Sequence, residues 1–216
     1  MIIAGAKGLA KELLEIFSQQ NRLERLYFFD NVSRDVPVRL FDRFPIVRSF
    51  ADACNIFKET GDMSFCLGLG NPLLRRKLFD EFRKLDGILT SVISPNATIG
   101  QFGTVIGQGC CILPGAVITS SVTLGMGCLV NPTATISHDC LIGDFVEVSP
   151  GANITGNCHI GDYTFVGSNC VILPKIRVGK NVIIGAGAVV TKNVPDNSVV
   201  AGVPAALRRS LDPLNF

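Results

Sequence analysis

Residues 106–136, IGQGCCILPGAVITSSVTLGMGCLVNPTATI, place an aliphatic side chain at every sixth position. The same period continues to residue 190, and every position on it is Ile, Leu or Val. These positions are Ile106, Ile112, Ile118, Leu124, Val130, Ile136, Ile142, Val148, Ile154, Ile160, Val166, Ile172, Val178, Ile184 and Val190. A fixed period marks a repeat architecture, and a period of six fits neither a helical turn nor the alternation of a single strand. The sequence therefore predicts a solenoid in which short strands alternate with corners.

A second column of mostly small residues stands four positions after each aliphatic side chain. Its small members include Cys110, Ala116, Cys128, Ala134, Cys140, Ala152, Cys158, Cys170 and Ala188. We expect them to fill tight interior corners, where cysteine serves as a compact apolar residue. Glycine often follows the aliphatic residue directly, as at Gly107 and Gly161. We expect these glycines to adopt the positive φ that a corner needs.

The cysteine pattern favours structural thiols. Five of the eight cysteines belong to the small column, and no Cys-x-x-Cys pair occurs. Free thiols agree with a reducing cytoplasm. The N-terminus shows no basic leader and no cleavable apolar run, so we expect a cytoplasmic rather than a secreted protein.

The first 92 residues lack the repeat and alternate between apolar runs and helical spacing. The predicted strands are 1–4, 26–29, 46–47 and 63–67, and the predicted helices are 9–19, 49–58 and 73–85. Glycine-rich turns lead from strand to helix at 5–8 and 68–71. This order is typical of a parallel α/β domain of Rossmann-like type. The sequence thus predicts two domains, 1–92 and 93–216, and an exit from the repeat through a turn at 196–198.

Charge is scarce in the repeat. Among residues 93–194 only eight are charged: Asp139, Asp144, Glu147, Asp162, Lys175, Arg177, Lys180 and Lys192. Charge-poor solenoid faces predict association. The net charge of +2 indicates no nucleic-acid partner. No apolar run approaches the roughly 18–20 residues of a membrane span, so we expect none.

With its period of six and its N-terminal α/β domain, the whole chain resembles the hexapeptide-repeat acyltransferases. It closely resembles one branch, the sialic acid O-acetyltransferase-like sugar acetyltransferases, which include N-acetyltransferases of UDP-linked 4-amino-6-deoxy sugars. The segments that carry the resemblance are Gly5–Ala10, Gly68–Asn71, Asn131–Asp139 and Gly202–Ala205. The resemblance implies a left-handed parallel β-helix, a homotrimer with sites between subunits, and a place in polysaccharide or glycan biosynthesis.

His138 and Asp139 match the family's catalytic base and the carboxylate that orients it. An ordinary imidazole pKa of about 6.5 suits a group that takes a proton from an amine or hydroxyl near neutral pH. Asp139 is one methylene shorter than the glutamate common in the family. Asn131 matches a polar residue beside the acceptor sugar.

The donor that the resemblance implies is acetyl-CoA, with its pantetheine arm in the groove between adjacent helices of the trimer. The matching residues are Gly151, Ala152, Gly167, Gly185 and Ala186, with Arg208 available to coenzyme phosphates. Glu147 stands where some relatives carry a histidine that contacts the cofactor or the base. Small residues there let the arm approach backbone N–H groups, which can stabilise an oxyanion. No metal is implied.

The implied acceptor is a nucleotide-linked sugar held by the N-terminal domain. The matching residues are Gly5, Lys7, Gly8, Asp30, Gly70 and Asn71, which stand where strands end or helices begin. Relatives usually read Gly-His-Gly around residues 8–10, whereas this chain has Gly8, Leu9 and Ala10. The identity of the sugar therefore stays open.

Other functions compete with this interpretation. The acceptor is alternatively free sialic acid or serine, acetylated on oxygen, or the chain is a non-catalytic trimeric binding scaffold. Trimeric hexapeptide helices also include metal-dependent carbonic anhydrases, but those need three zinc-binding histidines and this chain has two.

Overall fold

A computed structural model describes residues 1–215. The N-terminal elements are β1 (Ile2–Ala4), α1 (Gly8–Gln19), β2 (Tyr27–Phe29), β3 (Arg39–Leu40), β4 (Phe44–Val47), α2 (Phe50–Thr60), β5 (Ser64–Leu67), α3 (Pro72–Arg83) and β6 (Ile88–Leu89). The strands form one sheet in the order β3-β4-β2-β1-β5-β6. All neighbours are parallel except β3 and β4, so the sequence-based α/β prediction is correct.

The antiparallel pair β3–β4 is an element that the sequence did not predict. Its turn places Phe41 and Asp42 at φ values of 51° and 53°. Two non-glycine residues with positive φ give no sequence signal of a hairpin, because such turns normally favour Gly or Asn. Two helix starts are encoded locally: Ser49 accepts a hydrogen bond from the Asp52 N–H, and Asn71 accepts from Leu73 and Leu74.

The second half is a parallel β-helix of two-residue strands. They are β7 (Val92–Ile93), β8 (Thr98–Ile99), β9 (Val105–Ile106), β10 (Cys111–Ile112), β11 (Val117–Ile118), β12 (Thr123–Leu124), β13 (Leu129–Val130), β14 (Thr135–Ile136), β15 (Leu141–Ile142), β16 (Glu147–Val148), β17 (Asn153–Ile154), β18 (His159–Ile160), β19 (Phe165–Val166), β20 (Val171–Ile172), β21 (Arg177–Val178), β22 (Ile183–Ile184) and β23 (Val189–Val190). The chain ends with β24 (Ser198–Ala201) and β25 (Ala206–Ser210).

Every third strand belongs to the same sheet, so the solenoid has three faces. Face 1 contains the strands from β7 to β22 in steps of three, followed by β24 and β25. Face 2 runs from β8 to β23, and face 3 from β9 to β21. We name the corners after the faces that they join: the 1/2 edge, the 2/3 edge and the 3/1 edge.

Coils stack with an offset of 18 residues, as in the pairing of Thr135 with Asn153. The first coil departs from this 18-residue offset. Thr98 pairs with Val117, an offset of 19, whereas Val105 already pairs with Thr123 at 18. The extra residue therefore lies at the 2/3 edge of the first coil, where the Phe102 side chain is 82% exposed.

The aliphatic column forms the solenoid core, as predicted. The small column is also interior but differs between edges. The 1/2 edge holds Ala116, Ala134, Ala152, Cys170 and Ala188, whereas the 2/3 edge holds the mostly larger Val122, Cys140, Cys158, Ile176 and Val194. Because each column of a solenoid contacts only its own neighbours above and below, each corner sets its own side-chain size.

The expected reason for glycine after the aliphatic residue was wrong. Positive φ occurs three residues after the aliphatic position, as at Asp139 (60°) and Lys175 (65°). Gly107 and Gly161 are required for space, since an added Cβ would lie 2.5 Å from the Gly125 oxygen or the Lys180 nitrogen in the next coil. Stacking of coils, rather than turn geometry, therefore selects glycine there.

The chain bends at residues 196–197, within the predicted turn, but it does not leave the solenoid there. β24 continues face 1 by pairing in parallel with β22, and β25 folds back antiparallel on β24. The hairpin ends the solenoid, and its outer strand carries Arg208 and Arg209. The predicted second domain, 93–216, ends at Phe216, which lies outside the described residues.

The two domains share a packed junction on face 1. Cys111, Leu113 and Leu129 of the solenoid are buried in the same cluster as residues of β1, α1 and β4. Phe145, on the 3/1 edge, is buried in a second cluster with residues of β5 and α3. The α/β domain thus covers the lower coils of face 1 and leaves the 2/3 edge on the opposite side.

Cys140→Ala and Cys170→Ala test the corner columns. Cys140 stands among larger side chains and Cys170 among alanines, so truncation at 140 leaves the less tolerable cavity. We expect Cys140→Ala to lower the free energy of unfolding by roughly 1.5 kcal/mol and Cys170→Ala by roughly 0.5 kcal/mol. Denaturant unfolding of both variants checks the order, and a larger loss at Cys170 would contradict this account of the corners.

Candidate active site

His138 and Asp139 form a contact on the 2/3 edge. The His138 Nδ1 lies 2.7 Å from the Asp139 Oδ2, and both side chains are more than half exposed. The positive φ of Asp139 bends the chain so that neighbouring side chains meet. The shorter acid therefore reaches the ring, and the His138 Nε2 has no hydrogen-bond partner within residues 1–215.

The next coil makes room for this imidazole. A Cβ at Gly156 would lie 2.5 Å from the His138 Cε1 and 2.6 Å from Nε2. Below, the Asp139 N–H donates to the Ser120 oxygen, and above, the Asn157 N–H donates to the His138 oxygen. The pair thus stands on a backbone fixed from both sides, which is what a positioned proton acceptor needs.

The glycines predicted to face the coenzyme lie on the 1/2 edge, separated from His138 by the width of face 2. The N–H groups of Gly151, Gly167 and Gly185 already donate to backbone oxygens. Ala152 is fully buried, and its N–H donates to the Ser149 oxygen, so neither its methyl group nor its N–H faces outward.

Two other N–H groups on this edge are available. Within residues 1–215, those of Ser168 and Ala186 donate to no protein acceptor. Ala186 is exposed, and Ser168 stands one coil below it. Arg208 lies at the top of the same edge. Its Nη2 packs against Gly202, which follows β24, since a Cβ added at Gly202 would lie 2.9 Å from that atom. The edge thus offers backbone donors and a cation, a donor set that fits the carbonyl groups and phosphates of a coenzyme A.

Glu147 lies at the domain junction. Its carboxylate is 3.8 Å from the Arg75 Nη1, and a Cβ at Gly70 would approach it to 3.4 Å. Arg75 is 1% exposed and donates to the backbone oxygens of Gly70, Gly127, Phe145 and Val146. A guanidinium from α3 therefore binds carbonyl groups of both domains.

Burial raises the pKa of the Glu147 carboxyl to about 7. The attraction of Arg75 and hydrogen bonds from Asn131 and Ser149 oppose that shift without cancelling it. Burial also lowers the pKa of Arg75. Both shifts favour the neutral form of the side chain. The cost of removing each charged group from water therefore exceeds the attraction between Glu147 and Arg75 across 3.8 Å. Asn131, predicted beside the acceptor, is 7% exposed and also donates to the Val148 oxygen.

A cavity of about 530 Å³ opens in the α/β domain, beyond the carboxyl ends of β1 and β2. Gly5, Lys7 and Asp30 of the predicted set line it. Asp30 Oδ1 accepts from the Val32 and Ser33 N–H groups. Burial opposes ionisation there, but these hydrogen bonds and Arg48 leave the pKa of Asp30 below its usual value. The cavity thus presents an ionised carboxylate and an ammonium group.

Besides Asn131, three predicted acceptor residues lie outside this cavity lining. Gly8 begins α1, Asn71 caps α3, and Gly70 packs against Glu147. The wall that sequence reasoning missed comes largely from α3, whose Leu74, Lys77, Leu78 and Glu81 line the cavity together with Phe29 and Phe50. The spacing 74, 77, 78, 81 marks one helical face and was a readable signal.

A wider, open depression of about 930 Å³ lies on face 3. It contains His159 and Arg177 but neither His138 nor the N-terminal turns. Among residues 1–215, no three His, Cys, Asp or Glu side chains gather as metal ligands. In that same range, each helix is too short or too polar to cross a bilayer.

Two family models match the chain. The PglD N-terminal domain matches residues 1–82, and the bacterial transferase hexapeptide model, of six repeats, matches residues 103–138 and 157–192. Among curated proteins, none matches significantly.

Solved structures match over nearly the full length. The acetyltransferase domain of PglB from Neisseria gonorrhoeae, in complex with acetyl coenzyme A, is 30% identical with a TM-score of 0.84, covering 96% of this chain and 98% of that one. WeeI from Acinetobacter baumannii is 30% identical with a TM-score of 0.87 and the same coverages. A histidine-to-asparagine mutant of perosamine N-acetyltransferase from Caulobacter crescentus, with CoA and GDP-perosamine, is 25% identical with a TM-score of 0.88, covering 97% and 96%.

The chain belongs to the hexapeptide-repeat acyltransferases, in the branch that carries a PglD-type N-terminal domain. The predicted fold class, a Rossmann-like α/β domain followed by a left-handed parallel β-helix, is confirmed, and so is the predicted enzyme class. The prediction of a sugar acetyltransferase that uses acetyl-CoA is confirmed at the level of the family. The roles of individual residues, including His138, stay predictions.

Glu147→Gln tests the junction. The folded carboxyl holds its proton more tightly than the unfolded one, so its contribution to stability is complete below about pH 4.5 and disappears as the pH rises through about 7. Between these two pH values, we expect the free energy of unfolding of the wild type to fall by on the order of 3 kcal/mol relative to that of Glu147→Gln. Urea unfolding at several pH values measures it, with the exposed Glu15→Gln as control. Parallel pH curves for wild type and Glu147→Gln would contradict it.

Proposed function

We propose that this enzyme transfers the acetyl group of acetyl-CoA to an amino group of a nucleotide-linked sugar, with His138 as the general base. The His138–Asp139 contact carries the proposal, because it presents an oriented imidazole on an open edge. The amine attacks the thioester carbonyl, a C–N bond forms and the C–S bond breaks. His138 takes the amine proton, and the CoA thiolate leaves.

Direct transfer is supported by the placement of the nearest thiol. Cys140 follows His138 by two residues, but its side chain is fully buried and its Sγ donates to the Thr155 oxygen at 3.1 Å. A nucleophilic cysteine has to face the substrate beside a base. Cys140 therefore serves the core.

The proposed acceptor site is the cavity of the α/β domain. Both Lys7 and Asp30 line it, and in this proposal Lys7 binds the diphosphate while Asp30 accepts a hydrogen bond from ribose or base, as at other carboxyl ends of parallel strands. Gly8, Gly70 and Asn71 complete the proposed site through the turns around it. GDP-perosamine in the Caulobacter relative supports a nucleotide-linked amino sugar here.

The proposed assembly is a homotrimer, and the placement of these parts supports it. The α/β domain covers face 1, whereas His138 stands on the 2/3 edge, so one chain does not bring its cavity and its base together. The outward side chains of face 2 carry no charge: Thr98, Val117, Thr135, Asn153, Val171 and Val189. Three copies packed through face 2 would set the 2/3 edge of each beside the 1/2 edge of the next.

In such a trimer the proposed coenzyme groove has two walls. One copy supplies His138 and Asp139. The next supplies the 1/2 edge, with Gly151, Gly167, Gly185 and Ala186 near the pantetheine arm and Arg208 near its phosphates. In this proposal Ala152 contributes to that wall only through its small size. Glu147 and Asn131 do not contact the coenzyme directly but pack behind the wall at the domain junction. The proposed location is the cytoplasm, which agrees with eight free cysteines, and the proposed pathway is polysaccharide or glycan synthesis.

A panel of acceptors tests the function. UDP-, GDP- and dTDP-linked 4-amino sugars, free sialic acid and serine are incubated with acetyl-CoA, and the products are read by mass spectrometry. Acetylation of a nucleotide-linked amino sugar supports the proposal. Transfer only to free sialic acid or serine would replace it with the O-acetyltransferase alternative, and no CoA binding at all would favour a scaffold.

Light scattering tests the assembly. We expect a homotrimer at micromolar concentration, because the uncharged face 2 is otherwise exposed. A monomer at that concentration would contradict both the trimer and the shared site.

His138→Ala tests the base. We expect a trimer that binds acetyl-CoA as before, while kcat falls by on the order of 10²–10⁴-fold, the usual contribution of a general base. Steady-state kinetics and a coenzyme titration measure the two effects, with His159→Ala on face 3 as the matched control. Activity of His138→Ala within a few-fold of the wild type would show that His138 is a surface residue only.

A further inference from the structure

The charges of the solenoid are sorted by height. The acidic residues, Asp139, Asp144, Glu147 and Asp162, all belong to the middle coils, and the basic ones, Lys175, Arg177, Lys180 and Lys192, all belong to the upper coils. A solenoid with acidic side chains in its middle coils and basic side chains in its upper coils favours an elongated ligand whose anionic end lies at the upper coils.

Two of these lysines share an edge with His138. Lys192 is three coils above His138 in the same column, after Gly156 and Pro174. Lys175 is two coils above Asp139, and its N–H donates to the Gly156 oxygen at 3.0 Å, just as the Asn157 N–H donates to the His138 oxygen at 2.9 Å. Backbone hydrogen bonds thus fix the spacing along this edge.

The spacing matches the length of a pantetheine arm. Neighbouring strands lie about 4.8 Å apart, which places Lys175 roughly 10 Å and Lys192 roughly 14 Å above the catalytic pair. The arm has about as many bonds as four extended residues, or roughly 14 Å. A thioester at His138 therefore puts the phosphates of an upright coenzyme beside the lysines.

Both lysines are exposed, and within residues 1–215 neither forms an ion pair. The residues between His138 and Lys192 in their own column are small, because Gly156 has no side chain and the Pro174 ring is compact, whereas the exposed Asn157 stands between Asp139 and Lys175. The free backbone donors of the 1/2 edge, Ser168 and Ala186, lie in the same two coils as these lysines. Rotation about an axis parallel to the solenoid keeps heights equal, so the two sets would face each other in a trimer.

We propose that Lys175 and Lys192 form the site for the phosphates of the CoA whose thioester faces His138. The assignment rests on the proposed function and adds a basic wall from the protomer that supplies the base. Ammonium groups bind phosphates as point charges, and the terminal monoester carries a charge of about −1.5 to −2.

The test compares coenzyme fragments on the full trimer. CoA, dephospho-CoA and pantetheine are titrated calorimetrically into wild type, into Lys175→Gln/Lys192→Gln, and into a control with the same charge change, Lys180→Gln/Lys58→Gln. We expect the CoA affinity of the first variant to fall by about tenfold per lost contact, with pantetheine affinity unchanged and the control like wild type. Added salt should weaken CoA binding to wild type more than to the variant.

Each other outcome overturns the assignment. CoA affinity within twofold of wild type places the phosphates elsewhere, for instance at Arg208 alone. An equal loss for CoA and pantetheine shows a structural defect instead of a phosphate site. A wild type that binds neither CoA nor pantetheine refutes the proposed function as well, whereas a wild type that binds CoA beside an unaffected variant refutes only the lysine site.

Discussion

Each coil hydrogen-bonds to the next at an offset of 18 residues, and the rest of the molecule depends on that register. It stacks the aliphatic column into one core and turns each corner into a vertical row whose members share a size and a role. His138 projects because a small residue, Gly156, stands above it, and Ala186 offers a free N–H because its row faces outward. Residues far apart in sequence therefore lie on one edge at distances set by the number of coils between them. In this way the 2/3 edge carries His138 and, two to three coils above it, Lys175 and Lys192.

The junction between the domains depends on a different interaction. Arg75 is buried and donates to carbonyl groups from both domains. Glu147 stands too far from Arg75 for a hydrogen bond. Several carbonyl oxygens, each with only a partial charge, therefore stabilise the buried guanidinium more than a counter-ion does. The arrangement fixes the turn at Gly70 against the solenoid. The α/β domain is therefore held by the same coils that carry Asn131 and Glu147.

The sequence predicted the solenoid well, because a period of six that keeps Ile, Leu or Val without a gap has few structural solutions. It also predicted the His138–Asp139 pair, since a histidine beside an acid in a charge-poor repeat stands out. It did not separate the three corners, which look alike until the coils close. It misjudged Gly107 and Gly161 because the space between stacked coils is not visible in one repeat. Arg75 was missed because its partners are backbone oxygens from distant segments, which no local pattern records. The α3 wall was missed although its helical spacing is visible in the sequence, because that spacing does not show that the face lines a cavity.

The extra residue in the first coil shows where this architecture tolerates change. Between β8 and β9 the chain absorbs one residue at the 2/3 edge, and the register above is undisturbed because later pairings return to 18. Loop length at an edge is therefore decoupled from the stability of the core. Phe102 already stands at this point, on the same edge as His138 and two coils below it. Diversification of such loops would reshape the approach to the base while leaving folding untouched, so a scaffold of this kind can acquire new acceptors through its corners alone.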